Sequence, residues 1–519
     1  MTVSLLHLVK ALSKMGMLTP VGLYRIIAAI WCYGINLMML LKVAERTYGQ
    51  RIAIVDDRET ISFRELLSQS ARLSIILQQT YGLSRGRKLG FLCKNHASLV
   101  KAIFAASSSG ADLYLLNPEM SIGQFNQIVD DHGLDLLVHD RELTAMVEQS
   151  SYRKDKVLSY DEYAPAINNL VHAVVDEKQS RQRMPPGKMM LFTGGTTGKA
   201  KKAAHQPSLL RYLPPFVTVL TRLLLNSYQT AYIATPLYHG YGVALFLIFI
   251  ALGKNIVLTS GFEAAKACDL IHKHKVEMLT VVPLMITKML KHNAAALKSL
   301  ACIVSGGAEL NPKLAAEVFS KVGDVLYNLY GTSEAGLTTI ATPQDLRYSA
   351  KTIGKKIKHA RLHIVGPDRK KLGAGEIGQF CIKNSWSMRN KAHSWIDTGD
   401  VGYRDEQGYY FLCGRTDDMV VSAGENVYPI ELEQILLLHP AIEDAAVIGI
   451  RDDLFGQRLK AVIQPAPDAR LTKDELLNWL RPRVARYQMP KEIVFVDQIP
   501  YTQLGKRDKK GLESTKEKE

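Results

Sequence analysis

The chain of 519 residues has no CxxC pair, and its six cysteines (Cys32, Cys93, Cys268, Cys302, Cys381, Cys413) are widely scattered. That spacing excludes a metal knuckle and a disulfide framework, and it points to a reducing compartment. There is no internal repeat, and no low-complexity segment apart from the charged tail after Gly505, which mixes six basic with four acidic residues. An uninterrupted apolar run of the roughly 20 residues needed for one membrane span is also missing. Basic residues come in short clusters, such as Lys199, Lys201 and Lys202, or Lys355, Lys356 and Lys358, without interleaved aromatics. No nucleic acid is therefore expected as a partner. What is present is an ordinary globular composition, 47% apolar and 22% charged, sufficient for a large core and incompatible with disorder. The net charge of +15 suits anionic partners such as nucleotides, coenzymes or lipid headgroups.

Residues 26–41, IIAAIWCYGINLMMLL, come nearest to a span, but Gly34 and Asn36 interrupt them between Arg25 and Lys42. Three readings stay open: a helix packed on the protein's own surface, peripheral membrane contact through residues 21–42, or a span or secretory signal. Lys10 and Lys14 suit a signal, yet no clean small-x-small cleavage site follows. The expected location is cytoplasmic, with association at the cytoplasmic face of a membrane making chemical sense for a lipid substrate.

From about Arg87, strand-like apolar runs alternate with longer amphipathic stretches: KLGFLC before SLVKAIFAASSSG, DLYLLN before SIGQFNQIVDDHG, and later NIVLTS, EMLTVVP, ACIVSGG and VLYNLYG. Continuous apolar strands between helices imply an α/β fold with helix-flanked, mostly parallel sheets. Functional loops should then gather at the carboxyl ends of the strands. After about Asp400 the character changes to short strands and helices, a compact α+β unit. The expected division is an apolar N-terminal segment (1–46), a large N-terminal domain (47–416) and a small mobile C-terminal domain (417–519).

The most informative stretch is MMLFTGGTTGKAKKAAH, residues 189–205. A strand-like run gives way at Phe192 to Thr193-Gly194-Gly195-Thr196-Thr197-Gly198-Lys199, whose glycines, hydroxyls and lysines suit a polyphosphate. It is not the common nucleotide-triphosphatase loop, because Thr193 and Ala200 stand where that loop requires Gly and Ser or Thr. The stretch resembles the phosphate loop of the adenylate-forming superfamily, which includes the acyl-CoA synthetases. Further elements follow in that family's order: Pro236-Leu237-Tyr238-His239-Gly240-Tyr241-Gly242, Ser305-Gly306-Gly307-Ala308-Glu309, Tyr330-Gly331-Thr332-Ser333-Glu334, Asp397-Thr398-Gly399-Asp400, Gly414-Arg415-Thr416-Asp417-Asp418, and Pro500-Tyr501-Thr502-Gln503-Leu504-Gly505-Lys506.

The resemblance implies an ATP-dependent acid–thiol ligase that makes an acyl-adenylate and then a coenzyme A thioester, with ATP, Mg²⁺, coenzyme A and a carboxylic acid as its small-molecule partners. By the same resemblance, Thr193, Gly195, Thr196, Thr197, Gly198, Lys201, Gly307, Ala308, Glu309, Asn328, Tyr330, Gly331, Thr332, Ser333, Asp400 and Arg415 would contact ATP. Glu334, just past an apolar strand, is the expected ligand of a hard cation bridging phosphates. Lys506 is the expected catalytic cation, His239 and Gly306 would border the acyl pocket, Ala423 and Gly424 would admit coenzyme A, and Asp417 would be the hinge. Glu425-Asn426-Val427-Tyr428-Pro429 resembles the fatty acyl-CoA ligase branch and shifts the expected substrate toward aliphatic acids.

The pattern breaks at Gly194, Ala200 and Lys202, where the family usually has Ser, Pro and Gly. The segment between Trp386 and Asp400 is short, and Val421 stands where Lys or Asn is frequent. These departures bear on efficiency and specificity. Two alternatives stay open beside a medium- or long-chain acyl-CoA ligase: an acyl-AMP ligase loading a carrier protein, which would bind the same adenylate, or a membrane-attached lipid-binding protein with weakened catalysis, suggested by the N-terminal apolar segment and Gly194.

Overall fold

A computed structural model describes residues 19–175, 184–193, 201–206, 208–388, 393–422, 425–452, 456–502, 506–508 and 511–512. Its first elements resolve the apolar N-terminal stretch into two short helices, α1 (Pro20–Tyr33) and α2 (Leu37–Tyr48). Thr19 caps α1 by accepting from Gly22 N at 3.1 Å, and Gly34 ends it with a positive φ of 76°. Asn36 then caps α2, accepting from Met39 N at 3.0 Å. The two residues that interrupt the apolar run are thus the ones that turn the chain. Leu37, Met38, Leu41 and Ala44 of α2 are buried in the main core, with Phe104 and Phe246. Among the described residues no helix is long and apolar enough to cross a membrane.

The alternating region forms two sheets. One has six strands in the order Asp155–Leu158, Leu136–His139, Lys88–Leu92, Asp112–Leu115, Met189–Thr193 and Lys201–His205. All its pairs are parallel except the last, the hairpin around the phosphate-loop stretch. The other sheet has a parallel core in the order Leu326–Thr332, Cys302–Gly306, Met278–Val281, Thr230–Ile233, Asn255–Leu258 and Ile52–Val55. Met278–Val281 and Cys302–Gly306 are buried along their whole length, as strands covered on both faces must be.

This second sheet is extended to thirteen strands largely by an antiparallel set running from Gly336–Ala341 to Tyr410–Arg415. The switch to antiparallel pairing therefore comes at Gly336, well before the change of character that the sequence shows near Asp400. Asn95 ties the two sheets together, donating to Thr235 O at 3.0 Å and accepting from Leu237 N at 2.8 Å.

A third sheet belongs to the small C-terminal domain. It is built on the long hairpin Ile442–Asp452 and Gly456–Pro465 and has its own core of Leu432, Leu436, Val447, Ala461, Leu476 and Leu480. The last strand of the large sheet ends at Arg415, and the first of the small sheet begins at Val420. Polar contacts join the two domains across the cleft: Lys313 Nζ donates to His439 O (2.8 Å), Gln434 Nε2 to Glu309 Oε1 (3.0 Å), and Lys291 pairs with Glu443.

Candidate active site

The cleft between the domains has a volume of about 2630 Å³. Its walls come from loops at the carboxyl ends of parallel strands, where the α/β pattern places functional loops. After Thr230–Ile233 the chain turns through Pro236–His239, which Asn95 pins from below. A side chain at Gly242 would meet Pro236 O at 2.2 Å, so only glycine allows this turn to close onto the helix α4 (Gly240–Ala251). At its mouth the His239 ring packs at a 51° tilt against Tyr238, with ring centroids 4.5 Å apart, and its buried Nε2 has no partner among the described residues. Burial, reinforced by the nearby Lys506 ammonium, lowers its pKa to about 4, so the ring is neutral near pH 7.

Beyond Cys302–Gly306, Gly307, Ala308 and Glu309 border the cleft, Gly307 with a positive φ of 80°. Gly306 does not line it. That residue is buried, and a Cβ there would come within 3.4 Å of the Tyr241 ring, which is the group that lines the cleft at this point. Gly306 thus makes room for Tyr241, whose hydroxyl donates to Val304 O at 2.7 Å.

The strand Leu326–Thr332 brings Asn328, Tyr330, Gly331, Thr332, Ser333 and Glu334 to the cleft in sequence order. Thr332 Oγ1 accepts from Ala335 N at 3.0 Å, which shapes the turn that presents Ser333 and Glu334. His205 was not singled out by its sequence context, yet it holds this turn from the opposite sheet. Its Nε2 lies 3.0 Å from Ser333 O, and its Nδ1 lies 3.0 Å from the Tyr212 hydroxyl. A carbonyl can only accept, so Nε2 carries the proton and Nδ1 takes one from Tyr212. Burial lowers the pKa of His205, in keeping with that neutral form. Its position at the end of the phosphate-loop hairpin was the one available signal.

Glu334 has no side-chain hydrogen bond or ion pair among the described residues, and it lies close enough to Lys506 to feel its charge. An uncommitted carboxylate facing a phosphate-sized space fits a hard divalent cation. Among the described residues a closer cluster of metal-ligating side chains, Cys93, His96 and Asp140, is instead saturated from within. His96 accepts from Leu99 N at Nδ1 and bonds Asp140 at Nε2, which makes it a helix cap.

At the far side Tyr330 Oη donates to Asp400 Oδ2 at 2.6 Å, and Arg415 Nη1 donates to Oδ1 at 3.0 Å. Burial raises the Asp400 pKa, while Tyr330, Arg415 and Lys506 pull it back. The carboxylate is thus fixed in place with lone pairs left to accept hydroxyl groups. Arg415 also reaches Asp417 at 3.4 Å, spanning the short turn between the large sheet and the small one.

Lys506 comes to the same place from the small domain. Thr502 N donates to Lys506 O at 2.7 Å, and Lys506 N donates to Thr502 Oγ1 at 3.3 Å, closing the loop. The ammonium remains open to solvent, but surrounding protein and Arg415 lower its pKa, against Asp400 and Glu334. Arg507, also not foreseen, anchors this loop: Nη1 pairs with Glu433 at 2.6 Å and Nη2 with Asp444 at 3.2 Å, while Tyr501 donates to Asp444. Thr193 and Lys201 lie on the two strands of the phosphate-loop hairpin and are described through their backbone. Gly195, Thr196, Thr197, Gly198, Ala423 and Gly424 lie outside the described residues, as do Gly194 and Ala200.

Residues 41–390 match the family model described as AMP-binding enzyme, and residues 431–506 match that of the AMP-binding enzyme C-terminal domain. The chain belongs to the AMP-binding enzyme family. Among its relatives, a feruloyl-CoA synthase of Amycolatopsis is 28% identical over 472 residues, covering 86% of this chain and 92% of the relative. A 2-succinylbenzoate–CoA ligase of Bacillus cereus is 27% identical over 470 residues (87% and 92%). A medium/long-chain-fatty-acid–CoA ligase of Mycobacterium tuberculosis is 26% identical over 488 residues (85% and 84%). In fold, this AMP-binding enzyme is similar to o-succinylbenzoate CoA synthetase from Bacillus subtilis, solved with its acyl-adenylate intermediate. The TM-score is 0.79 at 23% identity, over 92% of this chain and 99% of that one.

Proposed function

We propose that this AMP-forming acid–thiol ligase activates a medium- or long-chain fatty acid, or a similarly apolar acid, and passes it to coenzyme A. The observation that carries the substrate class is the acyl arm of the cleft. Beyond His239 it runs between α3 (Leu209–Arg222) and α4, lined by Leu213, Phe216 and Val219 of one and Val243, Leu247 and Ile248 of the other. None of the residues that these two helices contribute to the lining is charged, so the arm offers nothing to a second carboxylate and much to a hydrocarbon.

On this reading His239, neutral and with Nε2 unpartnered, orients the carboxylate at the entrance to the arm. Ser333 and the phosphate loop receive the triphosphate. Glu334 would hold Mg²⁺, which supplies charge neutralisation between the phosphates when bound. Tyr330 faces the base, and Asp400, steadied by Tyr330 and Arg415, accepts the ribose hydroxyls. Lys506 stabilises the negative charge gathered as the carboxylate attacks the α-phosphorus, a preorganised donor of the kind worth about 10²–10³ in rate.

For the thioester step the small domain, 417–519, turns about Asp417 and withdraws Lys506, so that the face at Ala423 and Gly424 admits the coenzyme A thiol. Because Arg507 is bonded within the small domain, Lys506 must travel with it. The test is pyrophosphate release across a panel of carboxylic acids, with and without coenzyme A, against a Lys506→Ala control. Release that depends on aliphatic acids and on Lys506, and that rises with coenzyme A, supports the reading. Lys506-dependent release indifferent to coenzyme A favours a carrier-protein acceptor, and release only with aryl or dicarboxylic acids overturns the substrate class.

A further inference from the structure

One side of α1 is apolar and exposed. Trp31 is 72% accessible, Tyr24 66% and Ile27 64%, with Val21 and Leu23 also exposed. At about 100° per residue these five side chains fall within one arc of about 160°, and no charged residue stands inside it. The opposite side, Gly22, Ala29 and Tyr33, is buried against the protein. Arg25 flanks the arc, and the Arg46 guanidinium lies 5.8 Å from the centre of the Tyr24 ring. The chain has no Asp or Glu before Glu45, which is itself paired with Lys42. A second observation comes from the cleft: Ile26 of α1 and Ile35 of the α1–α2 turn line it, and Ile35 is at the same time 40% exposed. The apolar interior and the apolar surface therefore meet at this hairpin.

We propose that the exposed side of α1 docks on an anionic lipid bilayer and sets the mouth of the cleft beside Ile35 at the level of the acyl chains. The chemistry favours a bilayer over a second copy of the chain. Trp31 and Tyr24 are amphipathic rings suited to the headgroup boundary. A net charge of +15 attracts an anionic surface and repels another copy of itself. The docking itself is independent of the substrate. Only its use, delivery of a membrane-dissolved acid, rests on the fatty-acid reading above.

The test is flotation of the full chain with vesicles of phosphatidylcholine, with or without phosphatidylglycerol, and quenching of its tryptophan emission by bromine-labelled lipid. Docking predicts flotation that requires phosphatidylglycerol and quenching that disappears in Trp31→Phe. The double variant I27S/W31S should bind at least tenfold less, with ATP affinity unchanged as the sign that the fold is kept. The proposal is overturned if the wild type stays unbound, if quenching persists in Trp31→Phe, or if I27S/W31S floats as well as the wild type. It is also overturned if sedimentation without lipid shows a dimer that I27S/W31S dissociates, or if emission of Trp31 is already shielded in the free chain by residues 1–18. Failure of the acid panel with flotation intact would remove the fatty-acid reading and leave the docking standing.

Discussion

The two sides of the cleft are built in opposite ways. On the large-domain side each candidate binding group is fixed from several directions: Asp400 by Tyr330 and Arg415, the Ser333 turn by His205, and the His239 loop by Asn95. On the small-domain side Lys506 rides on one short loop closed by Thr502 and anchored by the next residue, Arg507. Rigidity follows the proposed division of labour. In the proposed mechanism the groups that receive ATP serve both half-reactions and can stay still, whereas Lys506, proposed for one half-reaction, must be removable without disturbing them.

The sharpest way to break this contrast is Lys506→Ala. Adenylate formation should fall by about 10²–10³, while thioester formation from a supplied acyl-adenylate changes little. Equal losses in both steps would show that Lys506 belongs to the fixed set. Arg507→Leu comes next. It removes the guanidinium that Glu433 and Asp444 share beside the loop, and breaking such a network costs about 3 kcal/mol or more of small-domain stability. Adenylation should drop by roughly tenfold with Lys506 still present, and calorimetry should show the destabilisation. A smaller effect is expected at the rigid side. His205→Ala frees the Ser333 carbonyl and should raise KM for MgATP by a few fold to about tenfold with kcat less affected, as loss of a positioning contact does.

These variants also mark where the sequence was readable. Ser333, Glu334, Asp400, Arg415 and Lys506 sit in contiguous motifs at strand ends or in loops, so neighbouring residues announce them, and the structure brings them to one cleft. Asn95, His205 and Arg507 act through partners 142, 128 and 74 residues away, a relation no local spacing displays. The helix break at Gly34 and Asn36 was legible because capping is local chemistry. The antiparallel extension from Gly336 was not, since strands of either orientation can be short and apolar, and only their partners distinguish them.

The mildest perturbation probes the seam between the two sides. Glu309, on the large domain, accepts from Gln434 of the small one, in a cleft shared with Glu433, Arg507 and Lys351. Surrounding protein and the Glu433 charge raise its pKa to about 7, with Arg507, Gln434 and Lys351 acting in the other direction. A carboxyl whose pKa is raised by closure favours the closed arrangement when protonated. The benefit is complete below the ordinary carboxylate range and is lost as pH rises toward and through 7. If adenylation uses Lys506 inside the cleft, as proposed, it should therefore decline modestly between pH 6 and pH 8 relative to thioester formation from supplied adenylate. Glu309→Gln keeps the size of the side chain and removes the titration, so its adenylation should be flatter across that range and should exceed the wild type most clearly at pH 8. A wild-type slope that survives in Glu309→Gln would place the titrating group elsewhere, and the Gln434 contact would then be a passive one.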